Sequence, residues 1–136
     1  MNPNYNRNYS RDQVEAILTT IQECIMRKHY SLSKNDKRRE NIEFINHYNL
    51  SSSRQKDILL KIEPDDFCYS LQNTNPGYKH EVLYVFCPQI MLFNFEGTEE
   101  LVDIYTKFNI IKYGSGKHTI VISFHKRNKP LDYLLR

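Results

Sequence analysis

The sequence predicts an α+β domain in which N-terminal helices pack on a C-terminal antiparallel sheet. Apolar residues recur at helical spacing up to about residue 71 and at strand spacing beyond it, and the period changes once. Helices gathered first and strands gathered last segregate into layers, whereas a parallel sheet needs them interleaved. The turn YGSGK between two strand-like segments makes consecutive strands antiparallel neighbours. A chain of 136 residues suits one core. Residues 10–136 are therefore read as a single domain behind a loose Asn- and Tyr-rich arm, residues 1–9.

Each element follows from local chemistry. Ser10 and Gln13 form an S-x-x-Q capping box, and Val14, Ile17, Leu18, Ile21 and Ile25 then keep helical period to about His29. Ser33-x-x-Asp36 marks a second start, followed by an apolar face of Ile42, Ile45 and Tyr48 with Phe44 alongside, and Asn49 ends it. SSSRQKDILLKI supplies a third cap and a short helix with Ile58, Leu59 and Ile62 inward. Pro64 suits the first turn of another short helix running through DDFCYSL, because its missing N–H has no partner to lose there. NTNPGY is a loop. EVLYVFCP has too little polarity for an edge and is read as a central strand; QIMLFNF is the next, closed by the turn EGTEE. IYTKFNII and TIVISFHK complete the sheet, and the tail NKPLDYLLR returns Leu131, Tyr133 and Leu134 to the body.

Composition narrows the class. No apolar run is long enough to span a bilayer, and the polar opening MNPNYNRNYSRDQ lacks the oily centre of a signal peptide, so a cytoplasmic location is expected. Cys24, Cys68 and Cys87 are isolated and odd in number, without CxxC or Cys/His spacing, and read as small buried hydrophobes rather than as a disulfide frame or metal site. No glycine-rich phosphate loop, GxSxG elbow or HExxH is present. The net charge of +3 is slight, but its distribution is not. Residues 81–103 hold five acids and no Lys or Arg, while residues 104–131 hold six Lys/Arg, two His and no acid. Such segregation points to a polyanion; solubilising lysines near strand turns are the plainer alternative.

Strand alternation decides what the basic stretch can do. Ile104, Phe108 and Ile110, with Thr106, form one row of the first strand, opposite Tyr105, Lys107 and Asn109. In the second, Ile120, Ile122 and Phe124 alternate with Thr119, Val121, Ser123 and His125. If both oily rows enter one core, Tyr105, Lys107, Ser123 and His125 share the other face. A phenol, an ammonium, a hydroxyl and an imidazole without an acid suit a phosphodiester. RNA can be cut without metal when its 2′-OH attacks the adjacent phosphorus. That needs a base, an acid for the 5′-oxygen and cations for the phosphorane.

His125 is the candidate acid or base, Tyr105 positions a base or transfers a proton, and Lys107, Lys126 and Arg127 steady phosphate. Lys112 and Tyr69 are further RNA contacts. Each has a plainer reading: a lone strand histidine is commonly a surface residue, and a lone Tyr105 a cross-strand packing aromatic. His118 is read as solvating its turn, and His29 and His47 as complementing helix dipoles. His80 adjoins a loop, and Lys37, Arg38 and Arg39 form a solvated run. Glu96, Glu99, Glu100 and Asp103 form a solvated turn or a contact for a basic partner.

The order DFCYSL, LYVFCP, VDIYTKF and IVISFHKR resembles the MqsR family of toxins from bacterial toxin–antitoxin systems, over roughly residues 34–129. The resemblance implies a RelE-like fold and a ribosome-independent endoribonuclease that cleaves mRNA, arrests growth and is neutralised by a cognate antitoxin. The family's strand tyrosine and lysine fall on Tyr105 and Lys107, and the basic residue after "SF" falls on His125. The chain departs at two positions: Tyr69 stands where members have lysine, and Leu83 where they have glutamine. The expectation is a cofactor-free mRNA interferase. The alternative is a noncatalytic RNA-binding or protein-interaction module on the same fold.

Overall fold

A computed structural model describes residues 5–33, 38–73, 76–78 and 80–136. Helix α1 spans Arg11–Met26, and Ser10 caps it as expected: its hydroxyl accepts from the Gln13 N–H while Gln13 Oε1 accepts from the Ser10 N–H at 2.8 Å. Val14, Leu18, Ile21 and Ile25 bury the inward stripe. Lys28 takes a positive φ of 61°, turning the chain into strand β2, Tyr30–Leu32. Three residues are too few to show a period, so this strand is invisible to pattern reading.

Helix α2 spans Arg39–His47; the start expected at Ser33 is not used, because the Ser33 N–H bonds the Val121 carbonyl at 3.0 Å and Arg38 stands at the N-cap without a side-chain bond, while Asp36 lies outside the described residues. Its buried face is Asn41 and Phe44, continued by Tyr48 after its end; Ile42, expected inward, is 37% exposed. Asn41 displaces it because its amide has bonds to make in the sheet. Ser51 caps helix α3, Ser52–Leu60, by accepting from the Arg54 N–H, and Ile58 and Leu59 turn inward. The helix expected through DDFCYSL is one 3₁₀ turn, Pro64–Asp66. Asp66 closes it by accepting from the Glu63 N–H at 2.8 Å, and Phe67–Gln72 then extend as β3, whose aromatic and apolar residues pair across the sheet.

The remaining strands are β1 (Tyr5–Asn6), β4 (Val82–Phe86), β5 (Gln89–Phe93), β6 (Glu99–Tyr113) and β7 (Gly116–Lys126). Among the described residues the sheet runs β1-β3-β4-β6-β7-β2, with β5 beside the first part of β6. All pairs are antiparallel except β2–β7. β4 is central as predicted. The helices cover one face, where Phe67, Phe86, Ile104, Phe108, Val121 and Phe124 meet Val14, Leu18, Ile21, Phe44 and Leu59. Among the described residues, no helix is long and apolar enough to cross a membrane.

The chain departs from expectation in two further places. The N-terminal arm, expected to be loose, is docked from Tyr5 onward. Tyr5 and Asn6 pair with Leu71 and Ser70, the Tyr5 ring stacks on Tyr69 at 4.4 Å, and Tyr9 Oη bonds Ser70 Oγ at 2.8 Å. The arm covers what would otherwise be the open edge of β3. Strict alternation along β7 also fails. Lys107 opposes Ser123 but Phe108 opposes Val121, leaving Ile122 as an extra residue. Val121 and Thr119 therefore point into the core with Phe124, and Ile120 opposes Asn109 instead of joining them. The tail folds back as expected: Leu134 joins the main core, and Leu131 and Tyr133 pack on the opposite face.

Candidate functional site

The face away from the helices is set by register. Tyr69 opposes Val85, Val85 opposes Lys107, and Lys107 opposes Ser123, so these four cross β3, β4, β6 and β7 in one row. Tyr105 and His125 form the next pair. Their rings stack with centroids 5.4 Å apart and planes 20° from parallel. The four residues predicted to share a face do share it, and the bulge at Ile122 lets them do so while Val121 and Phe124 both enter the core.

His125 is held from two sides. Its Nδ1 lies 2.9 Å from the Lys126 carbonyl oxygen, which can only accept, so Nδ1 carries the proton and Nε2 is left as the acceptor of the neutral ring. Glu40 Oε2 stands 3.7 Å from the same Nδ1. Glu40 is brought there by its neighbour Asn41. The Asn41 amide donates to the Ser33 and Ile122 carbonyls at 2.9 and 3.0 Å, and its Oδ1 accepts from the Phe124 N–H at 2.9 Å. Asn41 thus completes the edge of β7 beyond the end of β2, at the bulge, one residue before His125.

Lys107 is half-buried and makes no ion pair among the described residues. Burial lowers its pKa, and repulsion from Arg38 and Lys129 adds to this. Its ammonium lies 5.9 Å from the Tyr105 ring centre, and that of Lys129 lies 5.5 Å from the same ring and 5.7 Å from that of Tyr5. Lys129 also donates to Tyr5 Oη at 3.3 Å. Burial acts to lower its pKa, but the bond to Tyr5 and the phenols around it outweigh that, so Lys129 stays charged. Burial raises the Tyr105 and Tyr69 phenols, keeping both protonated. Two cations over two tyrosine rings, with no carboxylate among the described residues bonded to either, form a local positive field.

The other predicted contacts disperse. Tyr69 joins the site. Lys126 opposes Ile104 and lies on the helix-covered face beside Glu43, Phe44 and Tyr48. Arg127 is engaged by Asp103 at 3.2 Å, so its charge is already matched. Lys112 pairs with Lys117 near the hairpin tip, five residues and about 17 Å along β6 from Lys107 at strand rise. His118 bonds Ser31 Oγ at 3.2 Å, and His47 packs edge-on against Tyr48 and Phe95. All three cysteines are buried and free; burial raises the Cys68 thiol to about 12 and the Cys87 thiol to about 11, which suits packing rather than nucleophilic attack. Among the described residues no group of three or more His, Cys, Asp or Glu side chains is placed to hold a metal ion.

Sequence reasoning missed Lys129, Tyr5, Glu40 and Asn41. Lys129 lies within the acid-free stretch and so shares its signal. The others depend on the docking of the arm and of α2, which no local pattern encodes. Compared with family models, characterised proteins and solved structures, the chain matches none.

Proposed function

We propose that this protein is a metal-independent endoribonuclease, the toxin of a toxin–antitoxin pair, with a RelE-like arrangement of helices and sheet akin to the MqsR family. The observation that carries the reading is the Tyr105–His125 stack beside an ammonium, Lys107, that no acid among the described residues neutralises. His125 Nε2 takes the proton of the ribose 2′-OH, whose oxygen attacks phosphorus as the bond to the 5′-oxygen breaks. Tyr105, held protonated by burial, donates to the leaving oxygen. Lys107 and Lys129 balance the charge that gathers on the phosphorane. The products are a 2′,3′-cyclic phosphate and a 5′-hydroxyl.

The exposed apolar row Met91, Phe93 and Leu101 on β5 and β6, bordered by Glu96 and Glu99, supports a protein partner with a basic, apolar contact face. Tyr105 is only 5% exposed, and this favours a second reading, an RNA-binding module without cleavage.

The test is incubation of purified protein with single-stranded RNA in excess chelator. Cyclic-phosphate ends are expected, and His125→Ala should slow their formation by about 10²–10⁴-fold with the fold unchanged. Full cleavage by that variant would overturn the assignment, and RNA binding without any product would select the module.

A further inference from the structure

Beside the Tyr105–His125 pair lies a pocket of about 180 Å³ between the N-terminal arm and the C-terminal tail, lined by Tyr5, Arg7, Tyr69, Lys129, Leu131 and Asp132. That is roughly six waters at about 30 Å³ each. Two of its residues carry buried polar atoms without hydrogen-bond partners among the described residues: Tyr69 Oη and Arg7 Nε. The Tyr105 phenol and the Lys129 ammonium lie near enough to influence Tyr69 ionisation, and among the described residues the Tyr69 hydroxyl makes no hydrogen bond of ordinary length. Tyr69 is only 5% exposed, so bulk water does not relieve it. A native fold rarely leaves a buried donor unpaired without a use for it.

We propose that this pocket is a second phosphate subsite, holding the phosphodiester next to the one cleaved. Three donors border it: the Arg7 guanidinium, the Tyr69 hydroxyl and the Lys129 ammonium. Non-bridging phosphate oxygens can accept from the Arg7 and Lys129 cations, with the buried Tyr69 hydroxyl a third donor reached by a side-chain shift. The one carboxylate among the lining residues, Asp132, is exposed at the rim. Lys129 links the two places, because its ammonium also lies 5.5 Å from the Tyr105 ring centre. A chain bound here would be registered by one phosphate while the next meets His125. Tyr5, stacked on Tyr69 and half-exposed, offers its outer face to the adjoining base.

This inference rests on the proposed RNA substrate, and its test separates the two. Short RNAs carrying a 2′-deoxy residue at the cut position bind without being cleaved, so binding is read by fluorescence anisotropy. Single neutral methylphosphonate replacements are then placed at each phosphate in turn. The wild-type protein should show two sensitive positions, the scissile phosphate and one neighbour, each weakening binding about tenfold. In Arg7→Met the neighbour's sensitivity should vanish while the scissile one persists, and in Lys129→Met, whose ammonium serves both phosphates, both sensitivities should fall. Tyr69→Phe keeps the ring and removes the orphaned hydroxyl, so it should raise the melting temperature of the free protein while weakening RNA binding. One sensitive position only, or a Tyr69→Phe variant that binds RNA as wild type does, overturns the subsite and leaves the cleavage reading intact. Absence of RNA binding at any position overturns both.

Discussion

Replacing Asn41 by alanine should destabilise the fold more than any other polar truncation on α2. The side chain is wholly buried and makes three bonds: to the Ser33 carbonyl, to the Ile122 carbonyl and from the Phe124 N–H. Alanine leaves the Phe124 N–H inside the core with no acceptor, which costs about 1–3 kcal/mol, and removes two further bonds worth about 1 kcal/mol each. The total is about 3–5 kcal/mol. At this chain length each kcal/mol lowers the melting temperature by about 3–5 °C, so a fall on the order of 10–20 °C is expected by circular dichroism.

Asn41→Asp sharpens the test. It keeps the acceptor for Phe124 but sets a carboxylate against two carbonyl oxygens. It should be at least as unstable as alanine at pH 7. Burial beside those carbonyls raises the folded-state pKa of the introduced acid above its unfolded value. Stability is then fully present below about pH 3.9 and lost as pH rises from there through the raised folded-state pKa. The Asn41→Asp variant should therefore recover relative to wild type in acid. An alanine variant melting within about 3 °C of wild type would refute the claim that Asn41 closes the β7 edge.

Other outcomes follow from the same geometry. Lys107→Met should raise the melting temperature and, under the proposed function, weaken RNA binding, because the half-buried ammonium has no ion-pair partner among the described residues. That gain should be full at neutral pH and shrink as pH rises through the lowered folded-state pKa toward the ordinary lysine value, where the wild type no longer carries the charge; a gain independent of pH would assign it to packing instead. Cys68 and Cys87, with thiols raised to about 12 and about 11, should resist iodoacetamide in the native protein at about pH 7.5 and react fully in denaturant, as mass spectrometry would show. Rapid native alkylation would mean that the face opposite the helices opens.

Much of this is legible in the chain because it rests on short-range rules. The caps at Ser10 and Ser51, the central place of β4 and the pairing of Tyr105 with His125 each follow from period or turn chemistry. Pattern reading fails where tertiary partners override the local signal. DFCYSL follows a proline that suits a helix, yet its partners lie across the sheet on β4. Ile42 looks like a core residue, but the helix turns to deliver Asn41. Lys126 and Arg127 belong to the basic stretch by position, but one points to the other face and one is matched by Asp103.

The extra residue in β7 has a consequence for how the strand tolerates change in length. Ser123 already opposes Lys107, and Val121 already opposes Phe108. Excising Ile122 would thus close a gap rather than slip the ladder, and His125, Ser123, Val121 and Phe124 would each keep their side. What such a deletion would remove is the local bend, together with the carbonyl that Asn41 grips. A one-residue deletion usually inverts a strand; here it would straighten one. Under the proposed activity, a deletion variant that folds and keeps the Tyr105–His125 pair but loses cleavage would place the requirement in the bend or in the Asn41 bond to the Ile122 carbonyl.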